Sequence, residues 1–213
     1  MESGIYGNYK PVLEDISKKL VEQLKKVDQM MLQESGEHLF EHISARIKSE
    51  DSMREKCRRK GVAETTYSAL KVINDGIGLR IVCSFMDDIE TCISYLRTIP
   101  KCRIIKEKDY IKHAKDNGYR SFHLILEIED EHEDVEGMCP GHFYAEVQLR
   151  TIAMDSWASL EHRLNYKKEK GDPDRHALIV RELKKCADEL ASCDIKMQTI
   201  RKMIAEENGR NDT

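Results

Sequence analysis

YAEVQLRTIAMDSWASLEHRLNYK, Tyr144 to Lys167, changes its period halfway along. With Phe143 just before it, the first part alternates. Phe143, Ala145, Val147 and Leu149 fall on one face of an extended segment, and Tyr144, Glu146, Gln148 and Arg150 on the other. A strand of this kind packs its apolar face on a core, while the opposite face here sets an acid, an amide and a guanidinium in a row. Further on, Ile152, Trp157, Leu160 and Leu164 take helical spacings and are expected on one side of a helix. A polar strand face running into such a helix can floor and wall a nucleotide site. An ordinary amphipathic strand with solvated polar residues fits the segment equally well.

Working outward, Ser121–Glu129 reads as another strand. The acidic run Glu129–Gly141, with its Gly and Pro, is the loop that makes the two strands an antiparallel pair. Gly78–Phe85, GLRIVCSF, is apolar and β-branched, as a central strand is, with Asp87–Thr98 as the helix after it and Cys102–Lys106 as a short strand. Val12–Met31 repeats Leu13, Ile16, Leu20, Leu24, Val27 and Met31 at three and four, an amphipathic helix. Glu37–Lys48 reads as a weaker helix, and Ser52–Gly61 as a very basic one stopped by Gly61. Arg175–Glu207 keeps Val180, Leu183, Ala187, Leu190, Cys193, Met197, Ile200 and Ile204 in a seam. That seam suits packing on the first helix or on another subunit, and packing within the chain is preferred. The expected fold class is α+β: a mixed β-sheet flanked by helices, with a core over 37–168 and helical extensions over 1–36 and 169–213.

Composition narrows the function. The 213 residues suit one domain with extensions, or at most two, and 35% of them are charged. A net charge of −4 argues against a strongly basic nucleic-acid binder. Neither a signal-peptide core nor an apolar run of membrane-spanning length is visible, so a cytoplasmic location and no membrane partner are expected. The seven cysteines are scattered without a CxxC pair, which fits free thiols in a reducing compartment, with Cys83 and Cys92 as small core residues.

Three clusters carry candidate chemistry. Arg46, Lys48, Arg54, Lys56, Arg58, Arg59 and Lys60 concentrate cations in a chain that is acidic overall; polyphosphate is a usual answer to that concentration, and a solvated basic helix face is the other. In Asp75-Gly-Ile-Gly-Leu-Arg80 an acid stands at the mouth of an apolar strand, with two glycines and an arginine after it. Asp75 and Glu146, from two different strands, would supply the hard oxygens that magnesium takes beside phosphate; a turn-capping aspartate explains Asp75 as simply. In the third cluster, Asn117-Gly118 marks a turn, Tyr119 offers a ring for base stacking, and Ser121 and His123 share a strand face. A strand histidine is more often structural.

Together, RIKSEDS, DGIGLRIVCSF, KDYIKHAKDNGYRSFH and AEVQLRTIAMDSWASLEH followed by YK occur in the order of the synthetase domain of the RelA/SpoT family, and the chain resembles its small single-domain alarmone synthetases. No HD-type histidine–aspartate signature of the family's hydrolase domain is visible. The resemblance implies a nucleotidyltransferase-like core that moves the β,γ-pyrophosphate of ATP to the ribose 3′-hydroxyl of GDP or GTP, with Mg2+. By position, it implies Arg46 and Arg80 at the adenine or the ATP phosphates, and Lys48, Ser52 and Lys56 at the triphosphate. Asp75 would hold the metal, with Glu146 as its partner or as the base. Tyr119 would stack on guanine, with Lys108, Tyr110, Lys115, Asn117, His123 and Gln148 around the acceptor; His162 and Lys167 lie in the matching helix. A homo-oligomer, with a tetramer among its forms, and an allosteric alarmone are implied as well.

The sequence departs from the family at Gly76, after the key aspartate, and at Ala114, where proline is usual. The first loosens the Asp75 turn and the second the loop that holds Lys115. Two rival readings share the fold. One is a toxic relative acting on the 3′ end of tRNA, for which Lys18, Lys19, Lys25 and Lys26 would supply basic surface. The other is a non-catalytic nucleotide- or RNA-binding regulator, against which the presence of both Asp75 and Glu146 argues.

Overall fold

The computed structural model describes residues 4–165 and 173–211. Five strands, β1 (His42–Ile47), β2 (Ile77–Cys83), β3 (Cys102–Asp109), β4 (Phe122–Asp130) and β5 (Gly141–Thr151), form one sheet in the order β1-β2-β5-β4-β3. β2 and β5 run parallel and the other pairs antiparallel, so the sheet is mixed. The helices are α1 (Lys10–Ser35), α2 (Glu50–Lys60), α3 (Met86–Thr98), α4 (Ile152–Asn165) and α5 (Pro173–Asn211). No helix among the described residues is long and apolar enough to cross a membrane.

One sheet face is the core. Ile77, Leu79 and Ile81 of β2 stand beside Ala145, Val147 and Leu149 of β5 and Leu124 and Leu126 of β4, and all are buried. Leu13, Ile16, Leu20 and Leu24 of α1 and Ile89, Cys92 and Leu96 of α3 join the same cluster. The stripe expected for the first helix is therefore its buried face. Asp28 folds the chain back after α1 by accepting the Leu39 N–H at 2.8 Å. Cys83 and Cys92 are fully buried.

Four expectations need correction. Instead of a weak helix, Glu37–Lys48 contains edge strand β1, because HISARI alternates: Ile43, Ala45 and Ile47 pair with Ile81, Leu79 and Ile77, and Ile43 and Ile47 pack on the core. In α4 the buried residues are Met154, Trp157 and Ala158, whereas Ile152, Leu160 and Leu164 are about half exposed. The helix continues directly from β5, so the strand sets its rotation, and Trp157 turns inward to donate its indole N–H to the Leu183 carbonyl at 2.9 Å. In α5, Leu183, Ala187 and Leu190 pack against Trp157 and Tyr119 rather than on α1. Beyond them the body-facing positions are polar: Asp194 accepts from Thr151 at 2.6 Å, Gln198 bonds Asp87, and Arg201 bonds Asp88 at 2.7 Å. Met197, Ile200 and Ile204 of the expected seam are half exposed, together with Ile195 and Met203. The strand expected to be central, β2, is interior but sits next to the edge, and β5 is the middle of the sheet.

Candidate functional site

The other sheet face collects the polar residues by register. Ser44, Arg80, Gln148, His123 and Lys108 stand side by side across all five strands, and Arg46, Gly78, Glu146, Ile125 and Lys106 form the adjacent row. At Gly78, between Arg46 and Glu146, an added Cβ would come no nearer than 3.8 Å to the Arg46 carbonyl, so the missing side chain leaves the floor of the site open. A cavity of about 260 Å³ lies there, lined among others by Arg46, Lys48, Asp75, Arg80, Glu146 and Gln148. A second of about 340 Å³ adjoins it through Arg46 and Lys48 and is lined also by Ser49, Ser52, Lys56 and Arg59.

Local structure places the second group. Ser49 caps α2, and Glu50 and Asp51 open the helix while Arg58–Lys60 close it, each charge matching the helix dipole. Arg54 and Arg58 turn to Glu64, at 3.5 and 3.1 Å, so part of the basic cluster is answered within the chain. Lys56 points to the cavity.

Asp75 lies in the turn before β2 rather than on a strand. It is 7% exposed, and its Oδ2 takes Lys48 Nζ at 2.6 Å and Lys56 Nζ closer still, while its Oδ1 is buried without a partner. The turn itself is tied: the Lys48 N–H donates to the Gly76 carbonyl at 2.9 Å, and the buried Tyr6 hydroxyl to the Lys48 carbonyl at 2.9 Å. The Tyr6 ring lies 3.6 Å from where a Gly76 Cβ would stand, so the turn is bounded although its glycine is permissive.

Glu146 accepts from Gln148 Nε2 at 2.9 Å and faces His123 Nδ1 at 3.4 Å. Burial by itself would raise its pKa; these hydrogen bonds and the nearby Lys56 overcome that and bring it down to about 2. His123 Nε2 lies 2.8 Å from the Tyr119 hydroxyl, which also accepts from Arg150 Nη2 at 2.8 Å. With Arg150 donating into the phenolic oxygen, the Tyr119 proton goes to His123 Nε2, and the His123 Nδ1–H is left for Glu146, a tautomer assigned from the network.

Beyond His123 is an aromatic platform. The Tyr110 ring stands edge-on to His123 at 5.2 Å and to Tyr119 at 6.1 Å, and Lys115 Nζ sits 4.6 Å from the Tyr119 ring and 4.9 Å from that of Tyr110. These contacts, with the Lys115 N–H donating to the Tyr119 carbonyl at 3.1 Å, hold Lys115 without the proline that Ala114 replaces. Asn117 shapes the turn by accepting the Tyr119 N–H at 3.1 Å. Gly118, at φ +93°, lies against α5, where an added Cβ would fall 2.7 Å from Ala187 Cβ.

The expected site residues thus fall into two groups on either side of Glu146. Arg46, Lys48, Ser52, Lys56, Asp75 and Arg80 line the cavities; Tyr110, Lys115, Asn117, Tyr119 and His123 build the platform, and Gln148 lines the first cavity in register with His123. Lys108 is exposed on β3, in register with His123. His162 is exposed on α4, and Lys167 lies outside the described residues. Sequence reasoning did not select Tyr6, Arg150 or Asp155. Arg150 stood in the alternating row after Glu146 and Gln148, a signal that extends to it; Tyr6 and Asp155 had none.

A family profile described as "Region found in RelA / SpoT proteins" matches residues 45–171. The GTP pyrophosphokinase YwaC of Bacillus subtilis is 41% identical over 170 residues, 79% of this chain and 77% of that protein. The GTP pyrophosphokinase YjbM of the same organism is 31% identical over 198 residues, covering 93% and 87%. Among solved structures, small alarmone synthetase 2 from Bacillus subtilis superposes with a TM-score of 0.76 at 34% identity, over 92% of this chain and 99% of that one. Small alarmone synthetase 1 bound to its product pppGpp gives a TM-score of 0.75 at 30% identity, over 92% and 94%.

Proposed function

Because this chain belongs to the RelA/SpoT family, we propose that it is a GTP pyrophosphokinase that makes ppGpp and pppGpp. The ribose 3′-oxygen of GDP or GTP attacks the β-phosphorus of ATP, the bond between the α,β-bridging oxygen and that phosphorus breaks, and AMP leaves. One observation carries the reading: Glu146 stands between a cation-rich pair of cavities containing Asp75 and an aromatic platform of Tyr110 and Tyr119. A polyphosphate donor suits the first and a purine acceptor the second. One relative, small alarmone synthetase 1 of Bacillus subtilis, solved once with AMPCPP and once with pppGpp, supports nucleotides as the ligands.

Arg46, Arg80, Lys48, Ser52 and Lys56 are assigned to ATP. Lys108, Tyr110, Lys115, Asn117, Tyr119, His123 and Gln148 are assigned to the acceptor. Mg2+ fits the residues present: Asp75 carries a buried, unpartnered Oδ1, and two ammonium groups crowd its other oxygen. Asp75 and Glu146 would hold the ion, and when bound it supplies charge neutralisation at the phosphates. Glu146, ionised far below neutral pH, suits that role directly. As a base for the acceptor hydroxyl it would be a weak one while Gln148 and His123 hold its charge. Residues 37–168 are read as the synthetase core between the two helical extensions, and the exposed apolar face of α5 as the surface on which a homo-oligomer, a tetramer by resemblance, assembles.

Of the basic residues that would favour tRNA, Lys19 is engaged by Asp15 at 2.8 Å and Asp130 at 2.9 Å, which weakens that reading. The test is incubation with magnesium and γ-labelled ATP, offering GDP, GTP or deacylated tRNA separately. Label in guanosine tetra- or pentaphosphate is expected. Label in tRNA alone moves the chain to the tRNA-modifying reading, and ATP bound without transfer makes it a regulator.

A further inference from the structure

Two guanidinium groups at this site lean on one carboxylate oxygen. Asp155, in the first turn of α4, has a side chain 16% exposed, and its Oδ1 takes Arg80 Nη1 at 3.2 Å and Arg150 Nη1 at 2.8 Å. Arg80 comes from β2 and lines the cavity that also holds Asp75. Arg150 comes from β5, is 5% exposed, and spends its Nη2 on the Tyr119 hydroxyl at 2.8 Å and Gln148 Oε1 at 3.0 Å. Its guanidinium carbon also lies 5.2 Å from the centre of the Tyr119 ring. The Nε of each arginine is buried with no acceptor. Asp155 is therefore the anion on which both guanidiniums converge, and one of them reaches the donor cavity while the other steadies the acceptor platform. Without its charge, two neighbouring cations would repel across a partly buried space.

We infer that Asp155 is a positioning residue that fixes Arg80 and Arg150 relative to each other, so that one carboxylate sets the geometry of both nucleotide sites. The inference rests on the functional reading above. It competes with a plainer role, an acid in the first turn stabilising the N-terminus of α4, which predicts lost stability and unchanged affinities.

Asp155→Asn in the full chain separates the two. Affinities for a methylene-bridged ATP analogue and for GDP are measured by calorimetric titration, which needs no turnover. Trp157, the chain's one tryptophan, reports by its fluorescence whether α4 stays packed on α5. Both ligands are expected to bind on the order of ten-fold more weakly or worse, with Trp157 emission unchanged. Arg80→Ala should then cost less ATP-analogue affinity in the Asp155→Asn background than in the wild type, because the two changes break the same contact. Unchanged affinity for either ligand overturns the inference, as does a loss accompanied by shifted Trp157 emission. Should the asparagine variant not fold, Asp155→Glu carries the test: both affinities are expected to fall a few-fold together, and a fall in one alone or in neither overturns it. A wild-type protein that binds both nucleotides but transfers no pyrophosphate defeats the functional reading and leaves this test standing.

Discussion

Asp75 keeps one oxygen against Lys48 and Lys56 and the other bare and buried. A neutral amide in its place would leave two ammonium groups facing each other and no anionic ligand for a cation. Asp75→Asn is expected to lower turnover by about a hundred-fold or more while circular dichroism stays that of the wild type; turnover within a few-fold would reject the proposed metal role of Asp75. Tyr119→Ala removes a stacking surface worth about 1–3 kcal/mol per base, so the acceptor KM should rise roughly five- to 160-fold and the ATP KM far less. Glu146 gives a pH signature. Its folded pKa, about 2, lies below the ordinary 4.5, so its stabilising share is complete above that value and is lost as pH falls toward 2. Denaturant unfolding at pH 5 and pH 3 should show a smaller loss of stability in Glu146→Gln than in the wild type. Among single residues, those with a distinctive chemistry at a readable spacing were legible: Asp75, Glu146, Tyr119. Asp155 was not, since its meaning comes from two arginines 75 and 5 positions away that meet only once β2 and β5 pair.

At the scale of elements, the acceptor turn and α5 depend on each other. Gly118 adopts a left-handed backbone that strains any other residue, and the space beyond its Cα is filled by Ala187 and Lys184 of α5. Arg120, two residues on, is paired with Asp188 of the same helix at 2.9 Å. Gly118→Ala is therefore expected to cost about 1–3 kcal/mol of stability and to raise the acceptor KM, with ATP binding little changed; thermal melting and the two KM values check it. The same scale explains why β1 was misread. HISARI carries a two-residue alternation only six residues long, next to acids and histidines that dilute it, and β2 is what makes it a strand by pairing along Ile43, Ala45 and Ile47. The long periodic elements α1 and β5 were legible because their own patterns repeat often enough to stand without a partner.

Over the whole molecule, α5 leaves Ile195, Met197, Ile200, Met203 and Ile204 about half exposed after its polar face has met the body. An apolar stripe of that length on a helix suits burial between copies of the chain. If the proposed homo-oligomer forms on this face, Ile200→Lys with Ile204→Lys is expected to lower the mass seen by light scattering while leaving the melting temperature of the subunit nearly unchanged; a mass that is unaltered rejects this face as the interface. By itself the sequence determined the α+β class, the apolar faces of α1, β2 and β5, and the residue types of a nucleotide site, because side-chain period and chemistry are properties of neighbours along the chain. Only the tertiary structure decided that Ser44, Arg80, Gln148, His123 and Lys108 form one row, that Asp75 faces two lysines, and that Met154 and Ala158 rather than Leu160 and Leu164 join Trp157 on the inward side of α4. Strand register and helix rotation are set by contacts between segments far apart in sequence, and a sheet slipped by one residue would send every one of those side chains to the opposite face.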